Sequence, residues 1–120
     1  MDLIDITVDR LIKSGFNPVN SPFAHKVAVL LTTAQGLIDN GGFEYLFGYP
    51  FEQEPIKDDF VLVYEAIGAK DSSIAFQKAL SRSTSPVADY EDLNKVLWKN
   101  SEQNYALLES YIKTNAKQFA

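Results

Sequence analysis

The sequence of 120 residues has no cysteine and only one histidine, His25. Without cysteine the chain forms no disulfide and offers no thiolate as a nucleophile or metal ligand. No other metal-binding residues stand at suitable spacing around His25, so a zinc site has no support. We therefore expect no metal, no cofactor and a surface or capping role for this histidine.

Long apolar runs are also absent. The longest, at residues 27–31 and 60–64, have five residues, whereas a membrane span needs about 20. The first residues include Asp2 and Asp5 and show no basic stretch before an apolar run, so no secretory signal is expected. The sequence thus predicts a cytoplasmic protein with no membrane contact.

Catalytic sequence patterns are missing as well. There is no Gly-x-Ser-x-Gly elbow, no glycine-rich phosphate-binding loop and no calcium-binding loop. The paired acids Asp58 and Asp59 are neighbours in sequence and would point to different sides of a helix, so they are poorly placed to share an ion. We expect the protein not to be an enzyme.

Basic residues are outnumbered by acidic residues, and the excess of acids lies in one segment. The formal charge is −5, which argues against direct nucleic-acid binding. Residues 39–59 hold six acids and one base, Lys57, so this segment alone accounts for −5 and the remaining residues balance. Five aromatic residues are interleaved with these acids. The segment is either a solvated stretch or a recognition surface for a basic partner.

What the sequence does contain is helical periodicity. Hydrophobic residues make up 46% of the chain, enough for one core. No alternation of strands and helices is visible. The sequence predicts a single all-α domain over residues 1–120, with about six or seven helices.

The apolar positions divide the chain into segments. Ile4, Val8, Leu11 and Ile12 mark the first helix, which Gly15 ends. A second helix is expected to begin at Ser21-Pro22, with Ser21 as its cap, and to end at residues 40–42. Its apolar stripe comprises Phe23, Val27, Leu30, Leu31, Ala34, Leu37 and Ile38.

The second half is predicted in the same way. Residues 43–51 favour a short helix over an isolated strand. A helix over residues 57–69 buries Phe60, Val63, Tyr64 and Ile67, and Asp71 caps the next one. That next helix holds Ile74, Ala75, Ala79 and Leu80, and a loop follows at residues 81–86. Residues 89–119 form further helices that divide at Asn100-Ser101, with Trp98 in the core.

Two motifs carry a resemblance to a known family. Asn40-Gly41-Gly42-Phe43 ends a long helix and leads into an aromatic-rich turn, and Ile67-Gly68-Ala69 ends the next helix. In these features, and more loosely over residues 21–119, the chain resembles the bacterial DNA-mimic protein family. Members are small, acidic and helical, and were long catalogued as a domain of unknown function. Both motifs are interpreted as structural: the glycines permit a positive φ, and Phe43 fixes the next element to the core.

The resemblance implies a protein that binds the DNA-contacting face of another protein. The predicted partner is therefore a basic protein, either a DNA-binding regulator or a nuclease. The carboxylates expected to contact it are those of Asp39, Glu44, Glu52, Glu54, Asp58 and Asp59. The aromatic anchors expected beside them are Tyr45, Tyr49 and Phe51.

Two alternatives remain open at this stage. An immunity or antitoxin protein that blocks a basic toxin would have the same composition. A structural protein that associates with itself through an apolar helix face would form a homodimer and need no other partner.

Overall fold

The computed structural model describes residues 2–120, and this range contains helices and no strand. The six helices are α1 (Leu3–Lys13), α2 (Phe23–Phe47), α3 (Lys57–Ala66), α4 (Lys70–Arg82), α5 (Glu91–Lys99) and α6 (Ser101–Thr114), followed by a 3₁₀ turn (Ala116–Phe119). They pack into one compact globule. The predicted all-α class and number of helices are confirmed.

Helix α1 begins with a side-chain cap. The Asp2 carboxylate accepts a hydrogen bond from the Asp5 amide at 2.9 Å, which satisfies one of the free N–H groups of the first turn. Ile4, Thr7 and Leu11 are buried, at a spacing that lines one side of a helix. Ile12 was expected on that side, but it is 57% exposed because it stands one residue beyond Leu11. Gly15 follows with a φ of +91°, as its position after the helix predicted.

Helix α2 is the central element. It contacts α1, α3, α5 and α6, and Val27, Leu31, Ala34 and Ile38 are fully buried on it. It begins within one residue of the predicted start, but the predicted Ser21 cap is wrong. Pro22 occupies the N-cap position, and the Ser21 hydroxyl instead accepts a hydrogen bond from the Asn17 amide at 2.8 Å.

Two members of the predicted apolar stripe of α2 are not fully buried. Phe23 was expected to be buried but is 45% exposed, because the first turn faces the core with Ala24 instead. Leu37 is half-buried and packs at the edge of the core. The other predicted members of the stripe, Val27, Leu30, Leu31, Ala34 and Ile38, are buried.

Residues 40–42, where α2 is predicted to end, contain a kink within the helix. Gly42 has φ +77° and ψ −173°, which breaks the helical backbone for one residue, and the helix then resumes through Phe47. The short helix expected over residues 43–51 is thus formed over its first half. Gly41 does not take a positive φ. Phe43 is fully buried and contacts Phe76 edge to face at 4.9 Å between ring centroids, so it fixes the resumed helix to the core as predicted.

Helices α3 and α4 pack against each other through aromatic rings. Phe60, Val63 and Tyr64 of α3 are buried as expected, and so is Ile67, the residue that follows the helix. The rings of Phe60 and Phe76 stack, with centroids 5.4 Å apart.

The two helices are joined by the Ile67-Gly68-Ala69 motif. Gly68 has a φ of +82°, which lets the chain turn sharply from one helix into the next. Ala69 rather than Asp71 is the N-cap of α4, so the predicted Asp71 cap is wrong. Ile74, expected inside, is exposed, and the unpredicted Phe76 occupies the core position.

The last helices divide at Asn100, as predicted. Leu93 and Leu97 of α5 are buried, but Trp98 is 44% exposed and not in the core. Successive residues of a helix are turned by about 100°, so a buried Leu97 places Trp98 at the edge of the buried side.

Within residues 2–120, no helix is long and apolar enough to cross a membrane.

Candidate protein-binding surface

The kink at Gly42 is held by one side chain of α5. The Phe43 amide donates a hydrogen bond to Asn94 Oδ1 at 2.8 Å, and Asn94 Nδ2 donates to Glu44 Oε1 at 3.0 Å. Asn94 is buried. The resumed helix has free N–H groups in its first turn, and Asn94 satisfies one of them as a cap would. A Cβ on Gly42 would lie 2.4 Å from Asn94 Nδ2, so only glycine leaves room for this contact.

Asp39 is held in a similar way on the other side of the kink. Its Oδ1 accepts a hydrogen bond from Gln35 Nε2 at 2.9 Å, and its Oδ2 accepts one from the Ser101 hydroxyl at 2.7 Å. Asp39 is nevertheless exposed. Its carboxylate is therefore presented to solvent in a fixed orientation.

Gln35 connects this carboxylate to the interior. It is fully buried, and its Oε1 accepts hydrogen bonds from the Tyr64 hydroxyl at 3.0 Å and from Asn104 Nδ2 at 3.1 Å. Asn104 Nδ2 also donates to the Ser72 hydroxyl at 2.9 Å. Gln35 Nε2 also donates to the Leu97 carbonyl oxygen of α5 at 3.1 Å, so the network joins the five helices from α2 to α6. Burial raises the pKa of Tyr64, and nearby Tyr105 and Asp39 raise it further.

Trp98 covers the last turn of α2 before the kink. Its Nε1 donates a hydrogen bond to the Ile38 carbonyl oxygen at 2.6 Å. The indole N–H edge is thus turned towards the protein, while the rest of the ring supplies the exposed area. We call the group formed by Asp39, Glu44 and Trp98 the kink surface.

The other acids of the segment lie beyond α2. Glu52 and Glu54 are exposed in residues 48–56, which we call the acidic loop, and Asp58 is exposed in the first turn of α3. Within residues 2–120, the carboxylates of these three acids form no ion pair and accept no hydrogen bond from a side chain. Their carboxylates are therefore left open to solvent or to a partner's cations.

Asp59 differs from its neighbour Asp58. Its Oδ2 lies 3.1 Å from Lys26 Nζ, and both side chains are about nine-tenths buried, with 13% and 12% exposed. This ion pair joins α3 to α2. The charge of Asp59 is therefore neutralised within the protein.

The three predicted anchors form one aromatic group near Glu54. Tyr45 and Tyr49 contact edge to face with centroids 6.2 Å apart, and Tyr49 contacts Phe51 at 4.8 Å. Tyr45 and Tyr49 are exposed, whereas Phe51 is half-buried. Tyr49 and Phe51 also line a pocket of about 300 Å³ with Glu54 and Lys57. A Cβ on Gly41 would lie 2.7 Å from Tyr45 Cβ, so this glycine lets Tyr45 pack over the helix.

Sequence reasoning missed the groups that hold the kink surface. Asn94 and Ser101 carry no pattern of their own and meet α2 only in the folded protein. The burial of Gln35 was predictable in principle, since Gln35 follows Ala34 on a helix whose neighbouring turns are apolar. Trp98 was assigned to the core, so its contribution to the surface was not foreseen.

The fold and this surface define a small, acidic, all-helical domain that presents carboxylates and aromatic rings side by side. The chain belongs to the DMP19-like protein family, whose model matches residues 21–115. This confirms the family expected from the sequence. Helix α1 and the C-terminal 3₁₀ turn lie outside the matched residues. No curated protein and no solved structure matches the chain significantly.

Proposed function

We propose that this protein binds the DNA-contacting surface of a basic partner protein and so competes with DNA, without catalysing a reaction. One observation carries the proposal. Glu52, Glu54 and Asp58 are exposed and form no ion pair within the described residues, and exposed Tyr49 lines one pocket with Glu54 and contacts Tyr45, so charge and apolar contact area occur together. Aromatic anchors supply binding energy at interfaces, and charges guide partner choice and association rate. Membership of a family named for a DNA mimic supports the same function.

The extent of the mimicry is local. The protein is 44 Å long, and duplex DNA of that length carries about 25 phosphates. The formal charge of −5 is a fifth of that number. The protein therefore replaces one short stretch of phosphates, and the acidic segment 39–59 is the part that would do so.

The test begins with capture of binding proteins from a lysate of the source organism at about 50 mM and about 500 mM salt. A captured protein is then purified, and its affinity for labelled duplex DNA is measured by fluorescence anisotropy. We expect wild-type protein to displace the DNA and to lose its affinity at the higher salt. A partner with nuclease activity would make the protein an inhibitor of the immunity type.

A charge-reversal variant gives the decisive comparison. Glu52, Glu54 and Asp58 are replaced by lysine, and a control variant carries lysine at Asp5, Asp71 and Glu102, which are exposed on other helices. Each replacement changes the charge by two units, so both variants move from −5 to +1. We expect the first variant to lose displacement at least tenfold and the control to retain most of it. Equal loss in both would contradict the proposal, because only net charge would then matter.

A further inference from the structure

Trp98 is more exposed than is usual for a tryptophan. Tryptophan is highly buried on average, yet this side chain is 44% exposed and is the only tryptophan in the sequence. Its hydrogen bond to the Ile38 carbonyl fixes the ring against α2, so binding to it costs little conformational freedom. Fixed, exposed tryptophans are typical centres of protein interfaces.

The residues on either side of Trp98 along α5 and α6 hold two carboxylates. Asn94, Trp98 and Ser101 follow one another at spacings of four and three residues, and each donates a hydrogen bond to α2. Asn94 donates to Glu44 and Ser101 donates to Asp39, so the ring lies between the two residues that hold the acids. Lys95, one turn earlier on α5, is paired with Glu91 at 3.4 Å. Lys99 lines a separate groove between α4 and α5.

We propose that the kink surface is a binding site for a guanidinium group, an arginine side chain of the partner, which stacks on Trp98 and donates to Asp39 or Glu44. This rests on the proposed function and adds the residue type that is recognised. A guanidinium is planar, stacks on aromatic rings and donates to carboxylates in fixed directions, whereas an ammonium is a compact, strongly hydrated charge. Arginine is also the residue with which proteins commonly read guanine, so a DNA-binding surface presents it.

The probes are an oligo-arginine and an oligo-lysine peptide of equal length. Because Trp98 is the only tryptophan, its fluorescence reports directly on contact with the wild-type protein. We expect oligo-arginine to change the emission and to bind about two- to fivefold tighter than oligo-lysine. Equal affinity for both peptides, or unchanged emission on saturation, would overturn the inference.

Trp98→Leu removes the ring and keeps an apolar side chain. Its affinity for the two labelled peptides, measured by anisotropy, should become equal. The matched control is Phe23→Leu, an aromatic of similar exposure at the opposite end of α2, which should keep the preference for arginine. If Trp98→Leu does not fold, as judged by circular dichroism, the wild-type emission remains the deciding measurement.

The two proposals fail in different ways. If the triple lysine variant loses DNA displacement and Trp98→Leu keeps the arginine preference, the proposed function stands and the guanidinium site is wrong. If sedimentation shows a dimer that dissociates in Trp98→Leu, a second copy covers the ring and the guanidinium site is again wrong. Loss of the preference in Trp98→Leu alone supports the site.

Discussion

Asp39 and Glu44 accept hydrogen bonds from side chains of α5 and α6, whereas Glu52 and Glu54 face solvent from a loop. All four belong to the same acidic segment. The first pair is tied to a kink that Gly42 makes possible, and the second pair depends on no such geometry. Equal charges in one segment therefore have unequal consequences: a change at the kink surface would affect folding as well as the proposed recognition, and a change in the acidic loop would affect the proposed recognition alone.

This difference matters for how a partner would be recognised. A carboxylate held by side-chain donors keeps its position when a partner arrives, so it favours a group of matching geometry. A carboxylate on a solvated loop adjusts to many cations and acts mainly through attraction at a distance, which salt weakens. The kink surface is thus suited to specificity and the acidic loop to association rate.

The largest expected effect on the kink surface comes from the variant Gly42→Ala. Alanine at a positive φ is strained, and its Cβ would displace Asn94, leaving the buried Phe43 amide unpaired; together these cost about 3 kcal/mol. Chemical denaturation should show the loss. The control is Gly36→Ala on the same helix, where no heavy atom lies within 4 Å of the new Cβ. It should be neutral or gain up to about 1 kcal/mol. Equal effects of the two changes would show that the kink is not specific.

Asn94→Ala tests the hydrogen bonds without adding strain. The Phe43 amide and one oxygen of Glu44 lose their partner, and the buried amide makes this cost about 2 kcal/mol. Asn20→Ala, at an exposed asparagine, should change stability by less than about 0.5 kcal/mol. A stable Asn94→Ala variant with an unchanged denaturation midpoint would mean that water replaces the side chain as the cap.

Alkaline pH tests the network behind Asp39. Burial raises the pKa of Tyr64 well above its ordinary value of 10.0. Above pH 10 the unfolded chain releases this proton while the folded protein retains it, so the unfolded state gains. The stability that Tyr64 contributes is therefore complete below pH 10 and falls as pH rises further, by about 1.4 kcal/mol per pH unit, until Tyr64 ionises in the folded protein as well. Tyr64→Phe should be less stable at neutral pH and lose stability less steeply above pH 10. Parallel slopes for both proteins would contradict this role of Tyr64.

How far the sequence predicts this structure depends on whether a feature is local. Helical periodicity, the turn glycines Gly15 and Gly42, and the division at Asn100 are encoded by neighbouring residues, and the structure agrees with them. The errors at Ser21 and Asp71 concern caps, where a serine or an aspartate has several partners within reach and the nearest one need not be the helix.

The kink surface shows why the rest escaped prediction. Trp98 was assigned to the core from its size and its apolar neighbours, but its position on the helix is set by which side of α5 faces α2. Asn94 stands 51 residues from the amide that it caps. Such pairs are defined by tertiary packing, and no spacing rule within one sequence brings them together.

The smallest expected effect comes from the acidic loop. Glu52→Gln and Glu54→Gln together remove two charges that have no partner in the described residues, so stability should change by less than about 0.5 kcal/mol. Binding should respond differently: displacement of DNA from a captured partner should weaken and become less sensitive to salt, because fewer charges act at a distance. Denaturation and anisotropy on the same samples separate the two results. A loss of stability as large as that of Asn94→Ala would remove the distinction between the two parts of the segment, since the loop acids would then be structural too.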